Sequence, residues 1–214
     1  MYKDVSDAIR QGVGRYYEDR LSQFGPTPRG VDWNSAESQA LRFDELLVLL
    51  AEGRHQDEPS VSLLDVGCGY GALLDHVNAR GLAVDYRGFD VSEAMIDAAR
   101  ARHQASRDVF TSNASALEPA AFAVASGIFN VKLHHSVEQW RAYVFETIDS
   151  LHGLSTRGFA FNMLSTYSDP EKRREDLFYA DPCEMFDLCK RRFAARVALL
   201  HDYPLFEFTV LVRK

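Results

Sequence analysis

Seven residues, Asp65-Val66-Gly67-Cys68-Gly69-Tyr70-Gly71, close a short apolar run and alternate glycine with larger side chains. Glycine lacks a Cβ, so such a turn bends sharply and lets a ligand approach the backbone closely. Asp90 stands nineteen residues beyond Gly71, at the end of the next apolar run, where a carboxylate accepts hydrogen bonds from both ribose hydroxyls. Together the turn and the acid suit a nucleoside cofactor. Gly67, Gly69 and Ala72 also satisfy the loose G-x-G-x-x-G/A pattern of dinucleotide binders, which keeps a nicotinamide-dependent reductase as an alternative. A pyrophosphate requires close approach of a helix N-terminus, whereas an acidic strand end such as Asp65 tolerates an ammonium better than a diphosphate.

Other residues have the right chemistry for acid–base work. His134 and His135 follow a predicted strand, where substrate-facing loops gather, and imidazole titrates near neutral pH. They read either as a general base or as two exposed loop histidines. Tyr17 is a third catalytic candidate, in an N-terminal segment that also holds Tyr16. His201 and Asp202 form either an acid–base couple or, with Tyr203 and Pro204, ordinary turn chemistry. The cysteines, Cys68, Cys183 and Cys189, lack paired metal-ligand spacing, so no metal site and no disulfide framework is expected.

These residues need elements to hold them. Near-helical spacing of Val5, Ile9, Val13, Tyr16 and Tyr17 predicts a helix over 1–20. The turn formers of 24–30 end it, and a second helix, capped near Ser35, carries Leu41, Leu46, Leu47 and Leu50 to Gly53. After the polar link 55–60, strands are predicted at 61–66, 85–89, 108–111, 121–126 and 158–164. Helices follow the glycine turn, Ser92, Val137 and Pro182. Two last runs, 196–203 and 207–212, are separated by only three residues, too few for a crossover helix, so they form an antiparallel pair. The expected architecture is α/β: a doubly wound, seven-stranded, mostly parallel sheet with an antiparallel last strand. Residues 1–53 form an N-terminal helical lid and 61–214 the main domain. Deleting residues 1–30 is expected to leave the sheet folded.

Leu64–Gly71 resembles the first motif of the class I S-adenosylmethionine-dependent methyltransferases, and Phe89-Asp90-Val91-Ser92-Glu93-Ala94-Met95 resembles their second. The resemblance spans about residues 60–214. It implies that Gly67, Cys68 and Gly69 pass beside the methionine part of the cofactor, with Asp65 at the strand end, and that Asp90 holds the ribose. Met95 either packs on the adenine or is plain core. Where the family often has Gly-Asp-Ala, this chain has Ser112-Asn113-Ala114, and Asn113 still accepts through its amide oxygen. Ser126 opens the segment that lines the methyl-transfer region. In the N-terminal segment, Trp33 is expected to wall off solvent and Arg42 to pair with the cofactor's carboxylate, since guanidinium matches carboxylate geometry. The implied activity is methyl transfer to an oxygen, nitrogen or carbon of a small molecule. A non-catalytic adenosylmethionine or nucleoside binder is a further alternative.

Composition bounds the partners. A chain of 214 residues with 46% hydrophobic and 26% charged residues is that of an ordinary globular protein. A net charge of −7 argues against a nucleic-acid partner, because neutralising phosphates needs clustered cations. No apolar run is long enough for a membrane span, and three cysteines without a pairing pattern suit a reducing cytoplasm. The oligomeric state is not legible.

Overall fold

Val61–Val66 can be a central strand because both of its faces are covered: Val61, Leu63 and Leu64 are almost entirely removed from solvent. In the computed structural model this strand, β1, is hydrogen-bonded in parallel to β2 (Val84–Phe89) on one side and β4 (Ala120–Ala125) on the other. The structure describes residues 2–51 and 58–214, with side chains from Val5 on; the predicted helix end at Gly53 and link residues 55–57 lie outside them. With β3 (Phe110–Thr111), β5 (Ser155–Leu164), β6 (Arg196–Leu200) and β7 (Glu207–Arg213), the sheet has seven strands in the order β3-β2-β1-β4-β5-β7-β6. Only β7 is reversed, running antiparallel to both β5 and β6. This is the doubly wound, mostly parallel sheet expected from the sequence. The order switches at β1 and β4, which opens a crevice beyond their carboxyl ends.

Among the described residues six α-helices accompany the sheet: α1 (Tyr2–Phe24), α2 (Ala36–Ala51), α3 (Ala72–Ala79), α4 (Glu93–Arg102), α5 (Val137–Gly153) and α6 (Pro182–Arg192). Phe43, Leu46 and Leu49 of α2 pack with Leu73 and Val77 of α3 and Ile96 of α4 against one face of the sheet. The other face is covered by α5, α6 and α1: Ile9 and Val13 share a core cluster with Leu64, Phe129, Val144 and Phe161. Local signals start these helices where the sequence predicts. Ser92 accepts from Met95 N at 3.2 Å, and Ser136 forms a capping box with Gln139.

Two expectations need correction. The third strand is two residues long, because 104–109 coil into 3-10 turns instead of extending. The β6–β7 connection is six residues, 201–206, with Tyr203 buried and its hydroxyl 3.0 Å from that of Thr209. In the N-terminal segment α2 packs on the sheet through Phe43, Leu46 and Leu49, and its Gln39 and Phe43 line the crevice together with α1, Val31 and Trp33. Between β3 and β4 the chain has only residues 112–119 with a single 3-10 turn, Ala114–Ala116. That connection leaves the face above β1 and β4 without a crossover helix, and α1 covers it. Ile9 is fully buried there, so α1 is a wall of the core as well as a cover. Among the described residues no helix is long and apolar enough to cross a membrane.

Candidate active site

The chain leaves β1 at Val66 and turns immediately. The Gly67 and Cys68 amides both donate to the Phe89 carbonyl, at 2.7 and 2.9 Å, which fastens the turn to the end of β2. Gly67 has φ +80°, and a Cβ there would lie 2.2 Å from Ile128 Cγ2, so both conformation and space require glycine. At Gly69, φ is +52° and a Cβ would press on Val31 at 3.3 Å.

Asp90 sits just past β2 and braces this turn. One carboxylate oxygen accepts from the Gly69 amide at 2.9 Å and the other from the Ser92 amide at 2.9 Å. Each oxygen keeps acceptor capacity for a further donor such as a ribose hydroxyl. Burial raises its carboxyl above the usual range, against the pull of those amides; the nearby Glu18 carboxylate adds to the rise. Glu18 comes from α1, where it accepts from the Ser92 hydroxyl at 3.1 Å. Asp65 is more deeply enclosed. It accepts from the Tyr86 hydroxyl at 2.7 Å, yet burial, reinforced by Asp90, pushes its carboxyl up to about 7.

A cavity of about 770 Å³ opens on these groups. Asp65, Gly67, Cys68, Gly69 and Asp90 line it, as do Met95 and Ala114 on one side and Ser126, Trp33 and Tyr17 on the others. Trp33 lies edge-on to the bare backbone of Gly127, where a Cβ would come within 2.3 Å of the indole. The Gly127 amide in turn donates to Asn162 at 2.8 Å, so this loop after β4 is anchored to β5. Cys68 is buried, and its thiol is pushed up well above the ordinary range by burial, so it stays neutral.

Four expected site residues fall elsewhere. Arg42 does not reach the cavity: Nε and Nη2 grip the buried Glu207 carboxylate at 2.7 and 2.5 Å, and Nη1 donates to the Ser38 carbonyl at 2.7 Å. Its guanidinium lies 3.9 Å from the centre of the Trp33 ring, so it holds the wall of the site while its charge is taken by Glu207. Asn113 is exposed and spends its amide oxygen on the Ser115 amide at 3.0 Å, capping the 3-10 turn. His134 and His135 stack on each other, with ring centres 4.6 Å apart, farther along the loop after β4, and neither lines the cavity. Partial burial, His134 and Lys132 lower the His135 imidazole from its ordinary value. Tyr17 does line the cavity, but burial, with the negative charges of Asp32 and Asp90 behind it, raises its phenol, so it acts as a neutral hydrogen-bonding group and not as a base.

Three residues without an individual role in the sequence reading belong to this region: Glu18, Arg10 and Tyr143. Their signal is helical spacing. Asp7, Arg10, Gly14 and Tyr17 form one stripe of α1, and Tyr143, Thr147, Ser150 and Leu154 one stripe at and just beyond α5, all lining the same cavity. The sequence contains both stripes but not the fact that the two helices face each other.

The donor set fits a cationic nucleoside. At the crevice end the acidic groups lining the cavity are the carboxyls of Asp65 and Asp90, whose oxygens can accept from hydroxyl or ammonium donors. Arg10, the cation among the described lining residues, is on the far side, paired with Asp7 at 2.7 Å and Glu146 at 2.9 Å. A nucleoside-binding Rossmann-like sheet with an acidic crevice defines the class, and comparison with known proteins narrows it. A methyltransferase domain family matches residues 63–152. A Mycobacterium tuberculosis (strain H37Rv) protein named as a methyltransferase, Rv1506c, is 53% identical over 154 residues, 72% of this chain and 93% of its own length. The fold is shared with magnesium protoporphyrin IX methyltransferase from Synechocystis PCC 6803, solved with S-adenosylhomocysteine (TM-score 0.63, 16% identity, 98% and 100% of the two chains). It is shared as well with the plantazolicin methyltransferase BpumL (TM-score 0.58, 13% identity, 100% and 99%). The chain belongs to the class I S-adenosylmethionine-dependent methyltransferases.

Proposed function

We propose that this methyltransferase acts on a small-molecule acceptor whose oxygen, nitrogen or carbon enters beside Ser126, Gly127 and Ile128. The observation that carries the reading is one continuous cavity running from the Gly67–Gly69 turn and Asp90 to that loop. Asp90 would take the ribose hydroxyls, Asp65 the ammonium, and Met95 with Ala114 the adenine. Trp33 and Tyr17 would wall off solvent. Held by Asp90, Asp65 and the Gly67–Gly69 turn, S-adenosylmethionine would supply an electrophilic methyl group to the acceptor's electron pair. The protein's part is orientation, which lowers such a barrier by about 7–11 kcal/mol. Since Tyr17 stays protonated and neither His134 nor His135 lines the cavity, the acceptor's proton would pass to solvent.

An acidic chain of net charge −7 favours small acceptors over nucleic acid. Three free cysteines, one of them exposed, fit a reducing cytoplasm. The segment 2–34 serves as cover over cofactor and acceptor. The test is transfer of radiolabelled methyl from S-adenosylmethionine into a fractionated metabolite extract. Label in a low-molecular-weight fraction supports the reading. Label in RNA or protein alone, or binding of S-adenosylhomocysteine with no transfer to any fraction, contradicts it.

A further inference from the structure

The cavity is longer than a nucleoside crevice requires. Its upper part lies at the carboxyl ends of β1, β2 and β4, among Gly67, Asp90 and Ser126, but its lining continues to Leu117, Gly153 and Leu154. Leu117 precedes β4, and the Ala120 amide donates to the Leu154 carbonyl at 3.0 Å, so these residues mark the opposite end of the sheet. The two ends are separated by the length of β4, six residues, or about 20 Å at roughly 3.3 Å per residue. A cofactor lying across the strand ends between Gly67 and Asp90 spans the crevice sideways and does not fill a passage running down the face.

The passage is bounded by the two facing helices and the sheet. Apolar side chains line it from Val66 and Ile128 at the upper end, past Val13 and the Tyr143 ring, to Leu117 at the lower end. Tyr143 is buried and its phenol is held neutral by that burial. Charge enters the passage from α1, where Arg10 pairs with Asp7 and Glu146 and lies 5.8 Å from the centre of the Tyr143 ring, while Ser150 and Gly153 toward the lower end are exposed. A passage that is acidic at one end, lined by apolar side chains on the sheet side with the ion-paired Arg10 on the α1 side, and open to water at the other suits an extended molecule with a flexible apolar chain.

We propose that the methyl acceptor carries a long hydrocarbon chain, which lies in the channel between α1, α5 and the sheet with its reacting group at the Ser126–Ile128 end. This rests on the methyltransferase reading above and names the substrate class of the same site. Thr147, midway along the α5 stripe, would then be a specificity residue: its hydroxyl is held by the Tyr143 carbonyl at 2.8 Å and only its small bulk leaves the passage open.

The experiment uses the full chain and cis-parinaric acid, a fatty acid that fluoresces in apolar surroundings, with calorimetry of S-adenosylhomocysteine on the same samples. The probe should bind saturably at one site per chain in the presence of saturating S-adenosylhomocysteine. Octanol, dodecanol and hexadecanol should displace it with affinity rising at least tenfold from the first to the second, and farnesol tested beside them tells an alkyl from a prenyl preference. Thr147→Phe should weaken the probe at least tenfold while S-adenosylhomocysteine affinity stays within twofold, and Thr147→Val should bind both as the parent does. Normal S-adenosylhomocysteine binding with no saturable probe site, with displacement indifferent to chain length, or with full probe binding in folded Thr147→Phe overturns the channel alone. Failure of S-adenosylhomocysteine to bind the parent chain overturns the methyltransferase reading itself. Should Thr147→Phe fail to fold, Ser150→Phe at the exposed lower mouth gives the same comparison.

Discussion

The crevice at the strand ends and the face beneath α1 share one cavity, yet they are built by opposite means. The crevice is made of backbone: glycines at positive φ, amides gripping Asp90, and a carboxyl enclosed beside Tyr86. Local sequence dictates such a structure. The face beneath α1 is made of side chains from helices more than a hundred residues apart, joined by Arg10 to Glu146 at 2.9 Å and by Ser6 to the same carboxylate. It exists because the β3–β4 connection contributes no helix and α1 takes that place. The crevice therefore tolerates changes in distant sequence, whereas the covered face depends on a segment outside the region matched by the methyltransferase domain family.

The sharpest way to break this comparison is to remove α1. A loosely attached lid would leave a folded sheet behind. Ile9 and Val13 are instead buried in the main cluster, and each such side chain is worth about 1.5–3 kcal/mol of burial. Their loss, with newly exposed neighbours such as Phe129, approaches the whole stability of an ordinary domain, about 5–15 kcal/mol. A chain starting at residue 25 should lose its cooperative thermal transition in circular dichroism. A sharp transition within a few degrees of the parent would restore the lid picture.

The crevice wall has a weaker dependence of the same kind. Arg42→Met should cost about 3–5 kcal/mol, because it strands the buried Glu207 carboxylate, while pairing it with Glu207→Met should recover most of the loss. Urea denaturation of the three variants reads this directly, and equal stability of single and double variants would mean the pair does not govern Trp33.

Asp65 gives a pH signature. Its folded carboxyl is raised from 3.8 to about 7, so the folded state holds the proton more tightly than the unfolded chain. The protein should thus lose stability as pH rises from about 4 to 7, by up to about 1.4 kcal/mol per pH unit from this group. Asp65→Asn should flatten the decline, seen as a smaller difference between urea midpoints at pH 5 and pH 7. A parent midpoint that rises across that window, with no effect of Asp65→Asn, would contradict an enclosed, proton-holding Asp65.

Much of this is legible in the sequence. The sheet and its reversed last strand followed from run lengths and from the shortness of the final connection, because strand pairing over short loops is a local matter. Asp90 and the glycine turn were legible because their spacing is fixed by one strand–helix–strand unit. Arg42 was misassigned because its partner, Glu207, lies 165 residues away, and a cation near aromatic residues looks the same whether it faces a ligand or a buried acid. Asn113 was misread because its side chain serves its own turn. The α1–α5 channel was invisible for a related reason: each helix has its stripe, but only tertiary packing sets them opposite each other.

In the proposed function Asp90 and the glycine turn hold S-adenosylmethionine. Calorimetric titration of S-adenosylhomocysteine into the parent chain and into folded Asp90→Ala tests it most directly. One site per chain is expected in the parent, with an affinity lowered by about 1.5–3 kcal/mol, roughly ten- to a hundred-fold or more, in the variant. Equal affinity in the two proteins would place the cofactor somewhere other than this crevice.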